Sequence, residues 1–260
     1  MQKLVLSKNH FIKIVFILFL SISGKSQNNS IRIIRPKIGF TPDISENAAS
    51  SLKRFQKIYF RTDSIVLSYP NKKSAYKKLS KEEIDIYEHF DEFEKEDPFD
   101  VGTIGCSYYC AGGPSNITSS SFLYQKRDTI YHPSKIHDFS LKTAWISEFN
   151  VKRGFQNITF QFEKERSLVE KVIIFNGFME NEQSWENYSR IKKLRLYVNN
   201  KVYADLNLED VKSKQIFNVG MLEEKNKDMF LRFEILEVYP GRFSDKAAIS
   251  ELEFDSDHHH

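Results

Sequence analysis

The stretch Leu194-Arg-Leu-Tyr-Val-Asn-Asn-Lys-Val-Tyr-Ala-Asp-Leu206 predicts a β-hairpin and, with it, the class of the fold. Apolar residues alternate with polar ones on both sides of Asn199-Asn200-Lys201, and a period of two is typical of strands with one buried face. Asparagine is among the residues that tight hairpin turns prefer. Antiparallel β-structure is therefore expected around this turn.

Further strands are predicted on both sides of the hairpin. Ile158, Phe160 and Phe162 alternate with polar residues, and Val172-Ile-Ile-Phe175 is a short continuous apolar run. Other β-patterned runs cover residues 216–219, 229–238 and 249–254. No convincing helix is predicted after residue 100, so the expected fold is mainly β, an antiparallel sandwich or jelly roll. The 22 phenylalanines suggest an aromatic core between its sheets.

The N-terminus has the pattern of a signal peptide, predicted over residues 1–26. Lys3, Lys8 and Lys13 precede or flank the apolar run Ile14–Ile22, and small residues precede a cleavage site ahead of Gln27. The run has about nine residues, whereas a helix needs about 20 to span a bilayer. A secreted or periplasmic protein without an integral membrane segment in the mature chain is expected; an uncleaved tethering helix is the alternative.

Removal of residues 1–26 changes the charge of the chain. The segment holds four lysines and no acid, so Lys+Arg falls from 38 to 34 against 35 Asp+Glu, and the net charge changes from +3 to −1. A nearly neutral chain with interspersed charges has no general electrostatic attraction to nucleic acid. Nucleic acid is therefore not an expected partner.

Residues 27–100 differ from the rest in composition and in predicted secondary structure, and they are predicted to form an accessory region. Its expected parts are an extended arm in residues 28–51, a hairpin in residues 57–69 that turns at Thr62-Asp63, and one helix. The helix begins at a capping box formed by Ser80 and Glu83. Residues 101–256 are predicted to be the β domain, and residues 257–260 a tail.

The chain has two cysteines, Cys106 and Cys110. In an exported protein such a pair predicts a disulfide. The loop that it closes is very short, so the bond is expected to fix a local turn rather than to stabilise the whole fold.

A series of motifs between the predicted strands carries a family resemblance. In chain order they are Cys106-Ser-Tyr-Tyr-Cys-Ala-Gly-Gly113, Asp138 ahead of Thr143-Ala-Trp145, Phe175-Asn-Gly-Phe178, Asn187-Tyr-Ser-Arg190, Leu208-Glu-Asp210, Glu237-Val-Tyr-Pro-Gly241 and Ala248-Ile-Ser-Glu251. Over residues 106–254 the chain resembles the NADase-type glycan-binding domain. The resemblance implies a discoidin-like jelly-roll sandwich with a galactose-binding-like fold, preceded here by a short mixed α/β region. It also implies a non-catalytic protein that binds glycans through loops at one end.

Sugar binding requires flat apolar faces for the pyranose ring and planar polar groups for its hydroxyls. The candidate ligand-binding residues are Trp145, Glu148, Asn176, Trp185, Tyr188 and Arg190. Trp185 or Tyr188 would be the stacking platform, and Asn176 and Arg190 would hold hydroxyls. Structural roles are the alternatives: Trp145 as a core anchor, Asn176-Gly177 as a turn, and Arg190 in a buried ion pair with Glu251.

No enzyme activity and no cofactor are expected. The chain has no P-loop, no GxGxxG, no HExxH and no GxSxG sequence. A structural Ca²⁺ held by Asp138, Glu148 and Asp245 is an open alternative, because carboxylates suit that ion. The expected partner is a glycan or glycoconjugate; the alternative is a structural or interaction module that binds a surface protein.

Overall fold

The computed structural model describes residues 30–90, 97, 99–101, 113–124, 131–150, 154–164 and 168–256. The predicted signal peptide, cysteine pair and C-terminal tail lie outside these residues. The strands are β1 (Arg32–Ile34), β2 (Lys37–Ile38), β3 (Asn116–Ser119), β4 (Trp145–Ile146), β5 (Asn157–Phe162), β6 (Leu168–Asn176), β7 (Ser189–Val198), β8 (Lys201–Asn207), β9 (Gln215–Glu223), β10 (Met229–Tyr239) and β11 (Ala247–Asp255). The helices are α1 (Glu46–Ser68), α2 (Lys72–Tyr76), α3 (Lys81–Glu88), a 3₁₀ helix (Pro133–His137) and α4 (Glu182–Asn187).

The strands form two sheets that face each other, which confirms the predicted mainly β sandwich. The first sheet has the order β3-β5-β10-β7-β8-β1. The second has the order β4-β11-β6-β9-β2. A short parallel pairing of β11 with β7 joins the two. Inward-facing side chains of both sheets form one apolar core, which includes Phe160, Phe217, Phe233 and Phe254.

The hairpin of residues 194–206 is confirmed. β7 and β8 pair from Lys193↔Asn207 to Val198↔Lys201. Asn199 and Asn200 connect them with φ angles of 49° and 66°. Asparagine visits this left-handed region more readily than most residues, so the turn follows directly from the local sequence.

Residues 31–40, within the loosely held arm predicted for residues 28–51, form paired strands instead. β1 pairs with β8 at the edge of the first sheet, and β2 pairs with β9 at the edge of the second. The Arg32 guanidinium also donates to the Val219 carbonyl at 3.1 Å. The segment therefore crosses from one sheet to the other and covers a free edge of each, which blocks unwanted strand pairing.

The side chain of Ile34 is the part of this segment that enters the core. We expect Ile34→Val to lower the free energy of unfolding by about 1 kcal/mol, because one buried methylene is lost. Ile33→Val is the matched control, since Ile33 is 60% exposed. Urea denaturation of both variants measures the difference. Equal effects would contradict a core position for Ile34.

The hairpin predicted for residues 57–69 is wrong. α1 runs through this whole stretch, starting from Ser45, whose hydroxyl accepts a hydrogen bond from the Ala48 amide at 3.2 Å. Thr62 and Val66, one helical turn apart, are its buried residues. The capping box at Ser80 and Glu83 is confirmed at the start of α3. The region between residues 46 and 88 thus holds three helices, α1 to α3, where one had been predicted.

The start of α1 is attached to the outer face of the second sheet. Ile44, Ala49 and Leu52 pack in an apolar cluster with Ile173 and Phe175 of β6. Because β6 is covered on both faces, its sequence is a continuous apolar run rather than an alternating one. None of the helices among the described residues is both long and apolar enough to cross a bilayer.

Candidate functional site

Three of the six predicted contact residues meet in one cluster at the end of the sandwich where β6 ends and β7 begins. The buried Asn176 amide donates to the Ile191 carbonyl at 2.7 Å and accepts from the Ile191 amide at 2.8 Å. Trp185, on α4, donates from Nε1 to the Asn176 carbonyl at 2.9 Å. The Arg190 guanidinium lies 4.6 Å from the centre of the Trp185 ring.

Arg190 forms an ion pair with Asp210, not with Glu251. Its Nε and Nη2 donate to the two carboxylate oxygens of Asp210 at 2.9 and 3.0 Å, and its Nη1 donates to the Tyr188 carbonyl. This fork-shaped pairing fixes the plane of the guanidinium. The polar atoms of Asn176, Trp185 and Arg190 thus hold β6, α4, β7 and the segment after β8 together.

The turn after β6 depends on Gly177. Its φ is +87°, and a Cβ at this position would lie 2.8 Å from Arg190 Cγ and 2.8 Å from Trp185 Cδ1. Glycine is required both for the backbone angle and for the close approach. The Asn176-Gly177 motif therefore serves a tight turn beneath Trp185.

The other three predicted contact residues occupy different environments. Trp145 is fully buried in the core and donates from Nε1 to the Ser121 carbonyl at 3.0 Å. Tyr188 is half-buried, with its ring edge-to-face against Phe178 at 6.0 Å. Glu148 reaches the surface, where a carboxylate oxygen lies 3.6 Å from Lys246 Nζ.

Four exposed aromatic side chains lie on the loops at one end of the sandwich, and we call them the aromatic rim. They are Tyr124, Phe149, Phe155 and Phe243, which are 72%, 50%, 80% and 74% exposed. The described residues around them, 120–124, 147–150, 154–156 and 240–246, all lie at the end of the sandwich where β3 stops, β5 starts and β10 passes to β11. None of these four residues is among the contact residues predicted from the sequence. The available signal was a large aromatic residue inside a turn-rich polar stretch, where no strand period accounts for it.

Hydrogen bonds tie the three loops to one another. The Asn150 amide donates to the Asp245 carboxylate at 2.6 Å, and Lys246 Nζ donates to the Glu148 carbonyl. The Glu148 amide donates to the Ser121 hydroxyl at 3.2 Å. Each loop is thereby joined to at least one other, so the rim is held in place by a common framework.

The loop that carries Phe243 lies directly on the C-terminal end of α4. A Cβ on Gly241 would lie 2.4 Å from the Asn187 carbonyl oxygen, and the Arg242 amide donates to the Glu186 carbonyl at 2.8 Å. Only glycine permits this approach. Beside it, the exposed Arg242 guanidinium lies 5.2 Å from the centre of the Phe243 ring. The loop thus presents the Phe243 ring and the guanidinium of Arg242, with its several hydrogen-bond donors, side by side.

The three residues proposed for a structural Ca²⁺ do not fit one site. Asp138 binds the Lys135 ammonium at 2.9 Å and the Thr143 hydroxyl at 2.8 Å. Asp245 and Glu148 belong instead to the linked rim loops. Within the described ranges, no three acidic, histidine or cysteine side chains form a group that could hold a metal ion.

Comparison with known proteins assigns the β domain to a family. The model of the NAD glycohydrolase translocation F5/8 type C domain matches residues 108–255, which is more than half of the chain. The chain belongs to this family. The match covers β3 to β11 and every loop of the aromatic rim, so the rim is part of the F5/8 type C domain. The discoidin-like resemblance of the sequence is confirmed.

Similar solved structures include carbohydrate-binding modules. The CBM32-1 and CBM32-2 domains of Clostridium perfringens ZmpB give 13% identity and a TM-score of 0.42, over 65% of this chain and 38% of that one. The same domains in complex with GalNAc give 11% identity and a TM-score of 0.42, over 67% of this chain and 49% of that one. The family 32 module of Streptococcus pneumoniae EndoD gives 9% identity and a TM-score of 0.41, over 56% of this chain and 99% of that one. This chain spans less than half the length of the two ZmpB structures. A search of curated proteins finds no match.

Proposed function

We propose that the protein is an exported, non-catalytic carbohydrate-binding protein and that its F5/8 type C domain binds sugar at the aromatic rim. The observation that carries the proposal is the set of four exposed aromatic rings on three linked loops. Export is supported by the signal-peptide pattern of residues 1–26.

The chemistry of the rim suits a sugar. The C–H face of a pyranose packs on an aromatic ring, while its hydroxyls pair with amides, carboxylates and guanidinium groups. Phe155 and Phe243 offer the most exposed rings, and Arg242, Glu148 and Asn150 supply polar groups in the same loops. Because hydrogen bonds already hold these loops together, little conformational entropy remains to be lost on binding.

A non-catalytic role is supported by the position of the most perturbed acids. Burial raises the pKa of Glu251 and Glu253, the kind of shift that a general acid requires. Both side chains are nevertheless fully buried on β11, away from solvent and from the rim loops. A glycoside at the rim could not reach either carboxyl group.

A protein ligand on the cell surface is the second candidate, because exposed aromatic residues also anchor protein interfaces. The two candidates differ in the ligand that the same rim captures. A glycan array followed by titration of the best-bound sugar separates them from each other.

Loss of a rim ring is expected to weaken glycan binding without unfolding the protein. We expect Phe243→Ala and Phe155→Ala each to reduce affinity for that sugar about tenfold, equivalent to about 1.4 kcal/mol. Their unfolding midpoints should stay close to the wild-type value, since both rings are mainly exposed. Isothermal titration and thermal unfolding are the measurements.

Phe230→Ala is the matched control for these variants. Phe230 is also exposed, but its backbone amide donates to the Asn199 side-chain oxygen at the hairpin turn, at the opposite end of the sandwich. This variant should bind the sugar normally. No binding to any sugar of a broad glycan array, or equal losses of affinity in Phe230→Ala and Phe243→Ala, would refute sugar binding at the rim.

A further inference from the structure

A double irregularity in the pairing of β7 with β10 places two lysines on one side of the first sheet. Ile235 pairs with Leu194 and Glu237 with Lys193, but Val238 then pairs with Ile191, so that Lys192 is skipped in the pairing with β10. Neighbouring residues of a regular strand point to opposite faces. Here Lys192, the residue skipped on β7, breaks this alternation. β-Bulges of this kind redirect side chains and are common next to functional sites.

Both lysines consequently reach the same carboxylate. Lys192 Nζ and Lys193 Nζ each lie 3.0 Å from an oxygen of Glu237. The two ammonium groups hold the pKa of Glu237 below its usual value, so this carboxylate stays charged. One negative charge shared between two positive ones leaves an excess positive charge beside β7.

These side chains line an open cleft of about 520 Å³ where β7 begins and β8 and β10 end. Its wall also includes Arg35, which follows β1, together with Glu209 and Tyr239. Arg35 is exposed and makes no hydrogen bond or ion pair with the part of the chain that the structure describes. A guanidinium with all its donors available therefore faces the cleft next to the lysine pair.

The charges of the cleft favour an anion. Arg35, Lys192 and Lys193 supply three positive charges against the two of Glu209 and Glu237, whereas the chain without residues 1–26 carries a net charge of −1. A guanidinium binds a carboxylate through two parallel hydrogen bonds. The cleft volume lies in the range of small-ligand sites, and its largely polar wall matches a hydroxylated molecule.

We propose that this cleft binds the carboxylate of an acidic saccharide, with Arg35 as the main anion contact and Lys192 and Lys193 in support. The site is distinct from the aromatic rim, because none of its lining residues belongs to the rim loops. It does not depend on sugar binding at the rim.

Glucuronate and glucose are the matched probes, since they differ mainly in the carboxylate. Titrated into the protein at low salt, glucuronate should bind at least tenfold more tightly than glucose, and 250 mM salt should weaken its binding. Arg35→Gln should reduce glucuronate affinity at least tenfold. Lys193→Gln should also reduce it, which provides a second variant should the first alter the fold.

Two control variants make the test specific. Lys201→Gln removes an equal charge from exposed residue 201 at the other end of β8, and it should leave glucuronate affinity unchanged. Phe230→Ala, which lies outside both the cleft and the rim, should also leave it unchanged. No glucuronate binding, equal binding of glucose, or the same loss in Lys201→Gln as in Arg35→Gln would overturn the proposal.

Discussion

Replacing Trp145 by alanine is expected to lower the free energy of unfolding by about 3–5 kcal/mol, the usual cost of removing a large buried aromatic side chain. Trp145 is the largest fully buried residue of the described chain, and it lies in β4 opposite Ile249 of β11. Its indole N–H also satisfies the Ser121 carbonyl. The substitution would leave both a cavity and an unpaired acceptor.

Urea denaturation followed by circular dichroism measures this loss, and two further variants test its cause. Trp145→Phe keeps most of the ring and removes the N–H, so we expect a smaller loss, with about 1 kcal/mol from the hydrogen bond. Trp185→Ala removes the other tryptophan, which is only half-buried, and should cost less than Trp145→Ala. A Trp145→Ala protein of unchanged stability with impaired sugar binding would instead make Trp145 a ligand contact.

The parts of the fold that sequence analysis predicted correctly are those with a local cause. Asn199 and Asn200 set the angles of the β7–β8 turn by themselves, and the capping box at Ser80 needs only residues within one helical turn. The alternation of β5 is likewise visible in six consecutive residues, because one face meets the core.

The errors concern segments whose structure depends on distant partners. Residues 57–69 contain β-branched and aromatic residues that favour strands, yet they are helical. Their buried positions, Thr62 and Val66, follow the helical period, and Asp63 on the same helix accepts a hydrogen bond from Tyr87 of α3. Residues 31–40 form two short edge strands around Pro36, and their pairing with β8 and β9 is not visible in the local sequence. In both cases tertiary contacts outweigh local preference.

The candidate site shows the same division. Asn176, Trp185 and Arg190 were identified by residue type, but residue type cannot say whether a guanidinium is paired with Asp210 or free. Phe155 and Phe243 lie in turn-rich stretches with no strand period, but the sequence does not show whether their rings pack against the core. Only the assembled loops leave these two rings in solvent.

The buried acids of β11 lead to a second large effect, on the pH dependence of stability. Glu253 is fully buried, and neither of its carboxylate oxygens has a hydrogen-bond partner in the described residues. Burial is the main cause that raises its pKa to about 8; Asp100 and Asp255 raise it further, and Lys214 opposes them. The carboxyl group is therefore protonated in the folded protein at neutral pH.

Because the folded-state pKa lies above the ordinary value of 4.5, folding takes up a proton between these two values. Stability should fall as the pH rises from about 4.5 to about 8 and then level off. At about 1.36 kcal/mol per pKa unit, the contribution of Glu253 is on the order of 5 kcal/mol. Glu253→Gln, which cannot ionise, should therefore be more stable than the wild type at pH 8.5 and similar to it at pH 4.5.

Urea denaturation at these two pH values, with Glu163→Gln as the control, tests the sign as well as the size of the effect. Glu163 is exposed beyond β5, so its substitution should change stability little at either pH. Burial also raises the pKa of Glu251, but one of its oxygens accepts hydrogen bonds from the Asp138 and Ser140 amides at 3.1 Å each. A glutamine at position 251 would still accept those bonds, so the double variant should flatten the pH profile further. A wild-type protein that gains stability between pH 5 and 8 would contradict a protonated Glu253.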